Sequence, residues 1–181
     1  VDGNATVKIV DNSKGFIDTQ DHWAKDAIDF VSARGLVSGM SGTTYAPDAS
    51  TTRAQLWTIL ARQSDADLTG GATWYEKGMN WAKAYGVSDG TNPNANITRE
   101  QLVTMLYRYA KASGKDVSVG EDTNILSYTD ATTVSEYAVP AMQWACGAGI
   151  VNGANGKLNP QNNATRAEVA AILMRFCENI K

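Results

Sequence analysis

Arg53, Arg99 and Arg166 each follow a threonine at the head of an apolar-periodic run: STTRAQLWTIL (50–60), NITREQLVTML (96–106) and NATRAEVAAIL (163–173). The start of a helix carries partial positive charge and disfavours a cation there. It also presents free N–H groups, and an arginine fork beside them suits an anion, above all a carboxylate gripped bidentately. Two readings stand for these arginines. One is anion capture, and the other is an intrachain salt bridge, with Asp18 or Asp130 as partner; the two can coexist.

Other chemistry finds little support. His22 is the single histidine, and Cys146 and Cys177 do not form a CxxC pair, so no metal cluster or catalytic thiol is indicated. Spacing leaves open whether the two cysteines are bonded. Glu121 and Asp122 lie in a linker-like stretch and read as a solvated charge run. GANGK (153–157) lacks the rest of a phosphate-binding loop. No enzyme, cofactor or metal is expected. The formal net charge of -3 argues against a general nucleic-acid binder, and no apolar run reaches membrane-spanning length. A hydrophobic fraction of 43% is enough for a core.

The elements that position the arginines repeat three times. A proline stands six residues before each arginine: Pro47, Pro93 and Pro160. A glycine pair spaced by four precedes it: Gly35/Gly39, Gly86/Gly90 and Gly149/Gly153. An aromatic, Trp23, Trp74 or Tyr137, stands four residues ahead of a small-then-apolar pair. Each repeat therefore reads as helix, loop, helix. The first helix runs from the aromatic to the first glycine, with Trp23, Ala27 and Phe30 on one face and Trp81 and Trp144 packing in the other two repeats. The second helix carries the stripe Leu102, Met105, Leu106, Tyr109 and its counterparts. Thr52, Thr98 and Thr165 stand three residues before Gln55, Gln101 and Glu168, which is a capping box. Tiny β-bridges are expected in the loops of repeats one and three, with Tyr45 and Leu158 tucked inward. Trp23 and Trp74 are open between packing and a sugar platform. Trp57 is expected against a neighbouring repeat or an upstream domain.

These residues resemble the S-layer homology domain. HWAKDAIDFVSARGLVSGMSGTTYAPDASTTRAQ (22–55) and ATRAE (164–168) are similar to its FxD start, HWA segment, glycine turn and TRAE helix start, over about residues 16–178. The resemblance implies a mainly α fold, with three tandem repeats in a pseudo-threefold, three-pronged spindle around a central helical bundle. It implies a connector or tail of a preceding domain over 1–15, repeats over 16–64, 65–112 and 128–181, and a linker over 113–127. It implies an extracellular module at the bacterial cell surface that binds a secondary cell wall polymer, often through a pyruvylated amino sugar, in grooves between prongs, with a cargo domain upstream. The implied ligand residues are Arg53, Arg99 and Arg166, Gly39, Gly90 and Gly153, Trp23, Trp74 and Tyr137, and the FxD aspartates Asp18 and Asp130. Repeat two departs from the pattern: it lacks a clean FxD aspartate, Asp67 being the nearest, and Gly86 to Arg99 spans 13 residues against 18 and 17. Unequal grooves are expected. The alternative is a protein-interaction or surface-layer self-assembly module with degenerate sugar sites. Arg166→Ala is expected to weaken binding and spare the fold.

Overall fold

The computed structural model describes Gly3 and residues 5–181. The expected connector 1–15 lies partly outside these residues, at Val1, Asp2 and Asn4; its residues 5–14 are exposed and carry no regular structure. Six α-helices follow: α1 (Lys25–Ala33), α2 (Arg53–Gln63), α3 (Glu76–Ala84), α4 (Arg99–Ala112), α5 (Val139–Gly147) and α6 (Arg166–Asn179). Two short 3-10 turns, Ala131–Thr133 and Glu136–Ala138, lead into α5.

The second helix of each repeat begins one residue after its threonine, and all three capping boxes form. All four N–H groups that a helix start leaves open are satisfied. In α2, Thr52 donates to Gln55 Oε1 at 2.9 Å and Gln55 to Thr52 Oγ1 at 3.2 Å. Arg53 and Ala54 donate to the carbonyls of Ala95 and Pro93 in the loop of repeat two, both at 2.9 Å. In the same way α4 is closed by Asn162 and Pro160 of repeat three, and α6 by Ala49 and Pro47 of repeat one. The proline six residues before each arginine thus caps the preceding helix around the circle. No N–H at the starts of α2, α4 and α6 remains for a ligand, so the expected convergence of N–H groups and guanidinium on one anion is not met.

The first helices exchange partners too. α3 packs on α2, α5 on α4, and α1 returns to α6, so no repeat pairs its own two helices. At the α2–α3 crossing Gly78 lies so close that a Cβ there would stand 2.9 Å from Thr58 Oγ1 and 3.1 Å from its backbone. Three backbone bonds tie the repeats into a ring: Ile97 N to Thr51 O at 2.8 Å, Ala164 N to Ile97 O at 2.9 Å, and Thr51 N to Ala164 O at 3.0 Å. This ring marks the pseudo-threefold axis, and the fold is the mainly α tandem-repeat spindle that the resemblance implies.

The apolar residues of all three repeats form one core. Trp57 and Trp144 are fully buried and Trp81 nearly so, which puts Trp57 inside this core. Tyr45 and Leu158 are fully buried as expected. A loop bridge forms in repeat three, Ala154 with Lys157; the other bridges join different repeats, as in Thr52 with Asn96. Both cysteines are free thiols: Cys177 faces Gln63, and burial pushes the Cys146 thiol up to about 11.

Candidate functional site

Each first helix begins two residues after its aromatic, so Trp23, Trp74 and Tyr137 stand off the helical face. The expected shared face of Trp23, Ala27 and Phe30 does not form: Ala27 is buried, and Trp23 is 65% exposed. Trp74 and Tyr137 are 63% and 52% exposed. Rings this exposed lie outside the core, and Trp23 and Tyr137 each border a cavity with a polar floor.

The floor is built by the arginines. Each crosses into the loop of the next repeat and donates through Nε to the carbonyl two residues before that loop's proline: Arg53 to Thr91 at 2.8 Å, Arg99 to Leu158 at 2.9 Å and Arg166 to Tyr45 at 2.9 Å. Their remaining contacts differ. Arg53 Nη2 bonds Ser88 Oγ at 3.1 Å and pairs with Asp89 at 3.0 Å. Arg99 Nη1 pairs with Glu168. Arg166 Nη2 donates to Ser38 O at 2.6 Å, and its guanidinium lies over the Tyr45 ring, 4.4 Å from the centroid. The salt bridges are therefore real for two arginines, with Asp89 and Glu168 in place of Asp18 and Asp130. Arg166 has no ion-pair partner among the described residues. It is only 7% exposed and holds two loop carbonyls, so the expectation that Arg166→Ala spares the fold does not fit its bonds.

Two cavities open at these arginines. One, of about 440 Å³, is lined by Trp23, Arg99, Asn152, Gly153, Glu168 and Arg175. The other, of about 420 Å³, is lined by Arg53, Ser88, Asp89, Gln101, Arg108 and Tyr137. Every residue lining the second cavity has a counterpart in the first, Gly153 and Ala154 lining the first alone, so the shorter loop of repeat two still leaves a groove. Arg166, Ser38, Gly39, Gln55, Arg62 and Trp74 take the corresponding sequence positions for the third pair of repeats. A second arginine per repeat escaped the sequence reading. Arg62, Arg108 and Arg175 donate to the carbonyls of Leu36, Val87 and Ile150 at 3.3, 3.4 and 3.2 Å. Each follows its partner arginine in the sequence by nine residues, and that constant spacing was the available signal.

Burial lowers the pKa of Arg99, Asp130 opposing the shift and Arg175 adding to it; burial likewise lowers that of Arg166, against Tyr45 and Asp18. Both stay charged, as arginine does in proteins.

The remaining expected residues shape the grooves. Asp18 accepts the N–H groups of Tyr45 and Ala46 at 2.9 and 2.8 Å, and Asp130 those of Leu158 and Asn159, both at 2.8 Å. They hold the loop residue before the proline at positive φ, 57° for Ala46 and 50° for Asn159. Burial works against ionisation of both, yet these amides keep the two carboxyls below the ordinary value. Asn92 takes the same conformation at 51°, while Asp67 instead caps Thr69. A Cβ on Gly39 would stand 2.5 Å from Phe16 Cε1, and one on Gly153 2.6 Å from Tyr128 Cε1, so the FxD and YTD aromatics close on these glycines. Gly90 has φ 76°. Glu100, where repeats one and three have alanine, is 5% exposed and accepts Ser135 N at 2.9 Å and Ser135 Oγ at 2.6 Å, which fixes the approach to Tyr137.

Comparison with known proteins matches this architecture. Residues 15–56, 65–103 and 127–170 each match the S-layer homology domain. The chain is 33% identical, over 91% of its length, to an amylopullulanase of Thermoanaerobacterium thermosulfurigenes, of which it spans 10%. It is 30% identical over 94% of its length to the exoglucanase XynX of Acetivibrio thermocellus, of which it spans 17%. A surface-layer 125 kDa protein of Lysinibacillus sphaericus is 24% identical over 87% of the chain, which spans 14% of it. With three matched segments over more than half of its residues, the chain belongs to the S-layer homology domain family, a family of cell-surface anchoring modules.

Proposed function

We propose that the chain holds an exported protein on the bacterial cell wall by binding a secondary cell wall polymer non-covalently, through a pyruvylated amino sugar, in the grooves between prongs. One observation carries this reading. An exposed aromatic ring lines a cavity together with two arginines contributed by different repeats, Trp23 with Arg99 and Arg175 in one and Tyr137 with Arg53 and Arg108 in the other. Each cavity carries two guanidinium groups against one carboxylate, Asp89 or Glu168, and this net positive charge beside an exposed ring suits an acidic sugar. The reading needs no acid–base pair; the role is binding. The amylopullulanase and exoglucanase relatives are far longer than this chain, which supports a cargo domain elsewhere in the same polypeptide.

Calorimetry with purified wall polymer tests the residues. Arg53→Ala and Arg99→Ala each lower the affinity, and the triple variant that adds Arg166→Ala abolishes binding. Arg166→Ala also lowers the melting temperature, because each loop carbonyl left without a donor costs about 1–3 kcal/mol. Unchanged affinity in both Arg53→Ala and Arg99→Ala would refute the arginine role.

A further inference from the structure

The Arg53 cavity does not end at Tyr137. A further cavity, of about 530 Å³, shares Thr104, Arg108 and Tyr137 with it and adds Tyr85, Tyr107 and Lys111. Thr104, Tyr107, Arg108 and Lys111 lie at i, i+3, i+4 and i+7 of α4, so one helix face floors both cavities. Tyr85 comes from the end of α3 and Tyr137 from the turn before α5.

Two of these side chains are held in place and still open to solvent. The Tyr85 ring stacks on Trp81, with centroids 5.2 Å apart and planes 28° apart, yet the residue stays 49% exposed. Lys111 is exposed, and its Nζ lies over the Tyr107 ring, 5.1 Å from the centroid. Trp144 packs on that ring, with centroids 5.3 Å apart. No carboxylate lines the further cavity, and neither Arg108 nor Lys111 has an ion-pair partner among the described residues. Glu121, which accepts the Tyr107 O–H at 2.5 Å, lies outside the lining.

The extension belongs to repeat two. At the sequence positions of Tyr85, Tyr107 and Lys111, repeat three has Ala148, Met174 and Glu178, and repeat one has Arg34, Ala61 and Asp65. Both lose the two tyrosines and put a carboxylate where the lysine stands.

Building on the wall-polymer reading, we propose that the further cavity binds the next sugar of the same polymer chain, so that the Arg53 groove takes two consecutive units. The acidic sugar lies with Arg53 and Tyr137, and its neighbour lies against Tyr85 and Lys111. The C–H face of the second ring packs on Tyr85, and Lys111 donates to its oxygens. A cavity of about 530 Å³ is ample for one sugar ring. The Arg99 groove, without these side chains, takes the acidic sugar alone.

Amide signals of the ¹⁵N-labelled chain read the sites separately: Ser88 and Asp89 for the Arg53 cavity, Gly86 and Ala112 for the further one, Asn152 and Gly153 for the Arg99 cavity. The probes, both prepared from wall polymer, are the ketal-bearing monosaccharide and the disaccharide of that sugar with its neighbour. The monosaccharide moves Ser88 and Asp89. The disaccharide also moves Gly86 and Ala112, and it binds there about tenfold tighter, because the second ring buries apolar surface. Asn152 and Gly153 report equal affinities for the two probes. Tyr85→Ala and Lys111→Ala each take away most of the disaccharide's advantage at Ser88 and Asp89 and leave monosaccharide affinity unchanged. A disaccharide that leaves Gly86 and Ala112 unmoved, or that keeps its advantage in both variants, overturns the second subsite. An equal gain at Asn152 and Gly153 overturns its restriction to this groove. Silence of Ser88 and Asp89 toward both probes while Asn152 and Gly153 respond overturns the subsite but not the wall-polymer reading. Silence of both grooves toward both probes overturns that reading itself.

Discussion

A single guanidinium, that of Arg166, ties down the loop of repeat one through two carbonyls. Its position after Thr165 was plain from the sequence, and so was the mild electrostatic cost of putting it there. Its burial was not. The carbonyls of Tyr45 and Ser38 that receive it lie 121 and 128 residues away, and neither presents a side chain that marks it as an arginine partner. Asp18 and Asp130 were legible as repeated positions, but their partners are backbone amides, which leave no signature in a sequence. Their depressed pKa values give a pH dependence with a definite sign. Both carboxyls ionise more readily in the folded chain than in the unfolded one. Their stabilisation is complete above the unfolded value, about pH 4, and is lost as the pH falls through the folded values. The melting temperature should be flat from about pH 7 to 5 and fall below about pH 4. The double variant Asp18→Asn, Asp130→Asn should melt lower at neutral pH and show a shallower acid drop; an identical acid profile would contradict the loop-holding role.

Helices that begin at capping boxes were readable because the signal is local: four residues contain both the donors and the acceptors. Thr165→Ala should destabilise the chain by ~1 kcal/mol in chemical denaturation, and Thr165→Ser should restore most of it. A denaturation midpoint that Thr165→Ala leaves unmoved would contradict the cap. The exchange of helices between repeats was not readable. An i, i+3, i+4 stripe on α4 says that one face is buried, but the same stripe suits α3 or α5 as partner. Contacts from the rest of repeat three accompany α5: the carbonyls of Pro160 and Asn162, in the loop after it, cap α4, and Ser135, just before it, is held by Glu100 of α4. Exposure of Trp23 also turned on an element boundary. A helix starting two residues earlier would have put this ring on the buried face with Ala27.

At the scale of the whole molecule, the ring through Thr51, Ile97 and Ala164 joins three dissimilar repeats, and two similar cavities open between them. The sequence showed the repeats and their threefold count. It did not show that each of these cavities draws residues from all three repeats, which is why Arg108 and Arg175 went unnoticed. Grooves on one rigid body can engage successive units of one polymer chain, and the joint affinity then exceeds that of any single groove. The claim that an acidic sugar is the recognised unit is tested most directly by one calorimetric comparison: wall polymer with its ketal carboxylates intact against the same polymer after mild acid removes them. The intact polymer should bind tightly, and the stripped polymer should lose most of that affinity. Equal affinity for the two would contradict the account.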